Sequence, residues 1–168
     1  MLMKKMGVKT RKYLKGVHIF FSSAWVGAAL SILILGFVKG HVPNGDELAA
    51  VNEAIKLIDD CIIIPAALGT LLSGMVICWL TEWGFFRFPW IIVKWILTIA
   101  QILFGTFFLG QWTNGANAIA HIERGMALQN HVYLWYREMS NYFGTLQLVL
   151  LVFVVFISAI KPWGKRKL

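Results

Sequence analysis

Charge is what this sequence has least of. Only 14% of its 168 residues are Asp, Glu, Lys or Arg, against 58% hydrophobic, and a soluble domain of this length needs more polar surface than that. Acids are scarcer still, 8 against 16 bases. Cysteine occurs twice, at Cys61 and Cys78. At opposite ends of one helix they would stand ~25 Å apart at about 1.5 Å per residue, beyond the reach of a disulfide. That argues against disulfide-exchange chemistry and makes both packing residues. Also missing are a glycine-rich nucleotide loop, a Cys-x-x-Cys pair, a Ser/His/Asp set legible from spacing, internal repeats and low-complexity segments.

What the chain has instead is long apolar runs. The one at 87–112, RFPWIIVKWILTIAQILFGTFFLGQW, is long enough to cross a bilayer as a helix and carries one internal charge, Lys94. Lys94, Thr98, Gln101 and Gly105 share a helical face, which must turn toward other helices or an aqueous cavity. Spans are expected at 13–38, 61–81, 89–111 and 140–160. The first follows a basic segment but is longer than the ~7–15 apolar residues of a signal peptide, so it is retained. His18, Ser22, Trp25 and Ala29 lie on one of its faces. Asn44 with Glu47 forms a capping pair that starts the next helix. From Asp46 to Thr81 that helix is roughly 54 Å long at about 1.5 Å per residue, so its first half stands outside the hydrocarbon or along its surface. Pro65 can kink it, and Ala66, Thr70 and Gly74 make a ridge of small residues for a neighbour. Trp83, Phe85, Phe86, Phe88 and Trp90 form an interfacial aromatic belt. The stretch 112–139 is too polar for lipid and reads as helix, break, helix.

Both chain ends are basic: Lys4, Lys5, Lys9, Arg11, Lys12 and Lys15 before the first run, and Lys161, Lys165, Arg166 and Lys167 after the last. Basic flanks mark the cytoplasmic side. The expected fold is therefore all-α, one domain over 1–168: an integral-membrane four-helix bundle, up-down, N-in and C-in, with helical extensions outside. The expected setting is a membrane crossed four times, with both basic ends on its cytoplasmic side. The net charge of +8 sits in these flanks without interleaved aromatics, which argues against a nucleic-acid partner. The lipid bilayer is the partner expected, and the small-residue ridges leave a membrane-protein partner or homo-oligomer open.

The stretch KYLKGVHIFFSSAWVGAALSILIL resembles the first helix of a bacterial superfamily of small membrane bundles. It includes the copper-resistance protein D membrane domain, the membrane protoporphyrinogen oxidase and an uncharacterised family of predicted integral membrane proteins. Lys15, His18, Trp25 and Gly27 carry that match. DDCIIIPAALGTLLSGMVICWLTEWGFFRFPWIIVKWILTI, with its LLSG, its WG turn and its PWIIVK, is most similar to the last of these. In the oxidase the helix-one His and helix-three Lys are tied to activity, and they correspond to His18 and Lys94. The oxidase's arginine-rich first-helix end and the copper protein's methionine richness are absent here. The resemblance thus implies a shared bundle, a His/Lys pair and a bacterial cytoplasmic (inner) membrane, multi-pass, as the setting, not an inherited activity.

Both His18 and Lys94 begin helices running the same way, about one turn deep. An imidazole beside an ammonium suits a haem iron, a porphyrin carboxylate or proton movement. The structural alternative is a backbone-bonded His18 and a Lys94 that snorkels to the headgroups. Trp25, Gln101 and Arg137 complete the expected cofactor site, with haem or porphyrin as its ligand. Arg137 lies on an inward stripe with Tyr133 and Gln147. It would pair with Asp59 or Asp60, or clamp an anionic headgroup or propionate. His41, His121 and His131, with Asp59, Asp60 and Glu123, are the weak metal candidates; their spacing matches no metal motif. The alternatives to a redox or tetrapyrrole protein are a transport or metal-handling module around Thr70, Gln101 and Gln147, or an accessory subunit without catalysis.

Overall fold

The computed structural model describes residues 7–164, so Lys4, Lys5, Lys165, Arg166 and Lys167 lie outside the described residues. It is all-helical, with no strand among the described residues. Helix α1 runs Val8–Val38, α2 Gly45–Ile58, α3 Ile64–Leu80, α4 Pro89–Phe104, α5 Gly110–Glu123 and α6 His131–Ile160. Continuous helix joins α2 to α3 and α4 to α5, giving four rods long and apolar enough to cross a membrane. Large apolar side chains such as Phe20, Leu72, Ile96, Val149 and Phe153 are exposed along them. In water that would be an aggregation hazard; in lipid it is the expected outer face.

The joints inside the two long rods are wide π-type turns at Asp59–Ile63 and Gly105–Leu109. The Ile64 N–H bonds the Asp59 carbonyl, five residues back, and the Gly110 N–H bonds that of Gly105. Pro65, expected to kink the second rod, sits just after the first of these turns. The proline lacks an N–H, and a register change immediately before it lets the rod continue. The second π turn had no proline to announce it.

Asn44 starts α2 as expected: its Oδ1 accepts from the Glu47 N–H at 2.9 Å and its Nδ2 donates to the Glu47 carboxylate at 3.0 Å. The break expected within 112–139 falls at 124–130. Arg124 takes φ 51° there, a region a side chain seldom occupies, and a 3-10 segment follows. Asn130 restarts the helix by accepting from the Val132 and Tyr133 N–H groups.

The rods alternate in direction. Helix α1 packs on α3 and α6, α4 packs on α6 and more briefly on α3, and α1 and α4 face each other diagonally. Three apolar layers hold this together. At the end where the chain begins and ends, Cys78, Trp90, Ile91 and Ile157 pack with Trp83, Phe85 and Phe88. In the middle, Trp25 sits on Ala66, Ala67 and Leu151. At the far end, Leu48, Ala116, Ala120, Ala127 and Tyr133 join α2, α5 and α6 into a separate core. The expected extensions therefore exist and pack on each other. The ridge of α3 meets α1: the Gly69 backbone lies against the Phe21 ring, and Gly74 against the His18 imidazole. Cβ atoms at such places would hold the helices apart.

Candidate functional site

His18 lies on the face of α1 turned to α3, and its Nδ1 stands 2.9 Å from Ser73 Oγ. The serine hydroxyl has one proton. It donates that proton to the Gly69 carbonyl at 2.5 Å, with the Thr70 carbonyl at 3.2 Å. Ser73 can then only accept from the imidazole, and the Thr70 carbonyl is a further, backbone acceptor for it. With the proton of neutral His18 on Nδ1, Nε2 is the nitrogen that keeps its lone pair. Ser73 is 7% exposed, so water does not compete strongly for this relay.

Lys94 runs back along α4, its Nζ 5.9 Å from the centre of the Trp90 ring. The orientation follows from the way helical side chains lean toward the N-terminus. Its charge still acts on His18, as well as on Cys78 and Lys161. The diagonal geometry expected for the pair holds: the two residues belong to helices that do not pack side by side.

Seven residues on from each, Trp25 and Gln101 are buried. Trp25 Nε1 and both amide atoms of Gln101 lack hydrogen-bond partners, and so do Thr70 Oγ1 and Gln147 Oε1. Gln147 spends its Nε2 on the Gln101 backbone carbonyl at 3.3 Å. Buried polar atoms are ordinarily satisfied, and their cost rises in a membrane interior. His18, Thr70, Trp25, Gln101 and Gln147 thus form a polar column inside an apolar bundle.

Arg137 does not belong to this column. Its Nη1 stands 3.8 Å from where a Cβ on Gly40 would be, at the opposite end of α1 from His18. The separation is 22 residues, about 33 Å along a helix. Nor does it pair with Asp59 or Asp60: Asp60 bonds Lys56 at 2.6 Å, and the neighbours of Arg137 are Lys39 and Tyr133. Spacing puts Arg137 on an inward face of α6 but does not say which residues of the other rods stand opposite it.

The histidines of the extensions are dispersed. His121 Nε2 contacts the Glu53 carboxylate at 3.1 Å, His41 Nδ1 donates to the Phe37 carbonyl at 3.1 Å, and His131 is exposed at the start of α6. Among the described residues no group of three His, Cys, Asp or Glu could hold a metal ion. Both cysteines are free, Cys61 exposed and Cys78 buried.

The family whose model matches residues 12–162 is described as "Predicted integral membrane protein (DUF2269)". The chain belongs to that family. No curated protein and no solved structure matches it.

Two residues of these sites escaped the sequence. Ser73 was visible within the LLSG of the second span, but nothing in its spacing pointed at His18. Lys39 closes the first apolar run, where a lysine ordinarily snorkels outward. Here it is 3% exposed.

Proposed function

We propose that this membrane protein binds a porphyrin-like or other redox ligand in the bundle interior between α1 and α4, through His18 and Lys94. The observation that carries the reading is the Ser73 contact: a hydrogen-bonded Nδ1–H fixes the tautomer and leaves Nε2 free, the arrangement by which ligating histidines are oriented. His18 would offer Nε2 to an iron or a ring, and Lys94 its ammonium to a carboxylate. Haem, when bound, would supply one-electron chemistry. The donor set suits such a group, and the partnerless atoms of Trp25 and Gln101 deeper in the bundle are ones a ligand or its water would satisfy. The resemblance of this His/Lys pair to that of the porphyrinogen oxidase supports the same reading. Arg137, at the far end, has no part in it.

A second reading has its own observation. Thr70 Oγ1, Gln101 and Gln147 Oε1 are partnerless at mid-bundle, which suits a small polar molecule. The basic residues Lys9, Arg11, Lys12, Lys15 and Lys161 favour a cytoplasmic location for both termini, and the resemblance to bacterial membrane bundles favours an inner membrane as the setting.

The test is the visible spectrum of the protein purified from its membrane and of apo-protein titrated with haem. A Soret band that His18→Ala abolishes, Lys94→Ala weakens and Ser73→Ala broadens supports the first reading. Variants that stay folded and bind haem as the wild type does overturn it. A colourless wild type that takes up no haem transfers the case to the polar-molecule reading.

A further inference from the structure

At the far end of α1 two cations stand near one another, and neither belongs to an ion pair among the described residues. Lys39, just past the first span, is 3% exposed, and a lysine so buried is ordinarily paired. Its charged neighbour is Arg137, itself half-buried. The ion pairs among the described residues are Lys56–Asp60, His121–Glu53 and Arg124–Asp46, and neither Lys39 nor Arg137 takes part in one. Most carboxylates of the extensions are engaged elsewhere: Glu47 by Asn44, Glu123 by Asn130, and Glu53 also by Asn117. Glu138, next to Arg137 in sequence, is exposed and in none of these ion pairs, and successive residues of a helix do not face each other. Asp59 feels Asp60 and Lys56, not these two cations.

The end of α1 does not explain the lysine either. A cation there can bond the last carbonyls and complement the helix dipole. Those carbonyls accept from other donors, Leu35 from the Lys39 N–H, Gly36 from Asn141, Phe37 from the Gly40 N–H and His41, and Val38 from the His41 N–H, and the Lys39 ammonium bonds none of them. The Lys39 ammonium is left over.

One turn from Arg137 on the same face of α6, Tyr133 is fully buried. Its phenol oxygen accepts from Asn52 Nδ2 at 3.2 Å, which leaves its own proton unspent. The guanidinium reaches the end of α1: its Nη1 is 3.8 Å from where a Cβ on Gly40 would be, an ordinary contact distance.

We infer that Lys39, Arg137 and Tyr133 form a binding site for a phosphate or carboxylate anion at the end of the bundle away from the chain termini. Guanidinium and ammonium together match an oxyanion's charge, the guanidinium fork its geometry, and the phenol adds a third donor. The anion relieves the repulsion of two neighbouring cations, one of them desolvated. This site is independent of the one at His18. Its occupant is either a free anion or the phosphate of an anionic lipid headgroup.

The full chain in neutral detergent and phosphate-free buffer separates these sources by thermal unfolding. Titration with inorganic phosphate tests the free anion. Bicelles of phosphatidylcholine with and without phosphatidylglycerol test the lipid. Stabilisation by phosphate alone assigns a free anion, by phosphatidylglycerol alone a headgroup, and by both a site open to either. In each case Arg137→Gln and Lys39→Met are expected to weaken the apparent affinity at least tenfold. Tyr133→Phe weakens it less, and Lys12→Gln, at the other end of α1, leaves it unchanged. No stabilisation by either ligand overturns the site. So does an effect that survives in Arg137→Gln or is lost in Lys12→Gln. Should Lys39→Met fail to fold, Arg137→Gln and Arg137→Lys decide the matter, Arg137→Lys keeping the charge while losing the fork.

Discussion

Asn52 of the second rod donates to the phenol oxygen of Tyr133 in the fourth at 3.2 Å, across 81 residues of sequence. Both are buried, and Asn52 also donates to the Leu48 carbonyl at 2.8 Å. The pair pins α2 to α6 where Ala116, Ala120 and Ala127 supply only small side chains, so the tyrosine ring fills most of that core. Truncation and hydroxyl removal should therefore differ. Tyr133→Ala is expected to destabilise by roughly 3–5 kcal/mol, the range for emptying a large aromatic site. Tyr133→Phe is expected to cost about 0.5–1.5 kcal/mol, because Asn52 keeps its bond to Leu48. Thermal unfolding in detergent measures both. Equal losses would mean that the ring fills no core of its own.

The rods and their order were legible because lipid imposes a simple rule: each span must be long, apolar and internally bonded. Periodicity also carried the extensions, since Leu48 and Ile55 keep helical spacing into polar sequence and both prove buried. Asn44 was readable because a cap is a local interaction. The π turns were not, for their wide bonds leave no residue pattern beyond a proline in one case. Neither was the fate of Arg137, because its position on α6 does not fix its neighbours, which are Lys39, Gly40 and Tyr133. Ser73 and Lys39 depended on which helix faces which, and no spacing within one segment reports that.

The contact of Gly69 with Phe21 sets how closely α1 and α3 approach. A Cβ at Gly69 would overlap the phenylalanine ring, so Gly69→Ala is expected to destabilise by about 1–3 kcal/mol, as overpacking does. Phe21→Leu in the same chain should recover part of the loss. Gly27 provides the control, with nothing within 4 Å of its missing Cβ; Gly27→Ala should be neutral or stabilise by up to ~1 kcal/mol through helix propensity. A Gly69→Ala protein as stable as the wild type would show that the two helices have slack.

The sidedness proposed above is open to chemical labelling. With Cys61 and Cys78 replaced by alanine, a cysteine at Asn44 should react with an impermeant maleimide in intact cells. A cysteine at Lys4 should react only after permeabilisation. The reversed pattern would put the basic termini outside and the Lys39–Arg137 end in the cytoplasm.

Burial, and then the charge of Arg137, push the Lys39 ammonium down to about 8 from an ordinary 10.5. For a base held below its unfolded value, the charged form is the one the fold disfavours. Below pH 8 both states are protonated and the folded protein carries the full penalty. Between about 8 and 10.5 the unfolded chain binds more protons than the folded one, so stability rises with pH. The gain is bounded by about 3 kcal/mol, the free-energy equivalent of a shift of this size. In phosphate-free detergent the wild type should therefore become more stable from pH 8 to 10. Lys39→Met should start more stable at pH 7.5 and show a flatter profile, the difference between the two curves removing the contribution of Tyr133 and other groups that titrate nearby. Parallel curves would mean that the ammonium reaches water or an anion in the folded state. Adding phosphate to the wild type distinguishes those two, since a bound anion would flatten its slope and bulk water would leave it as it was.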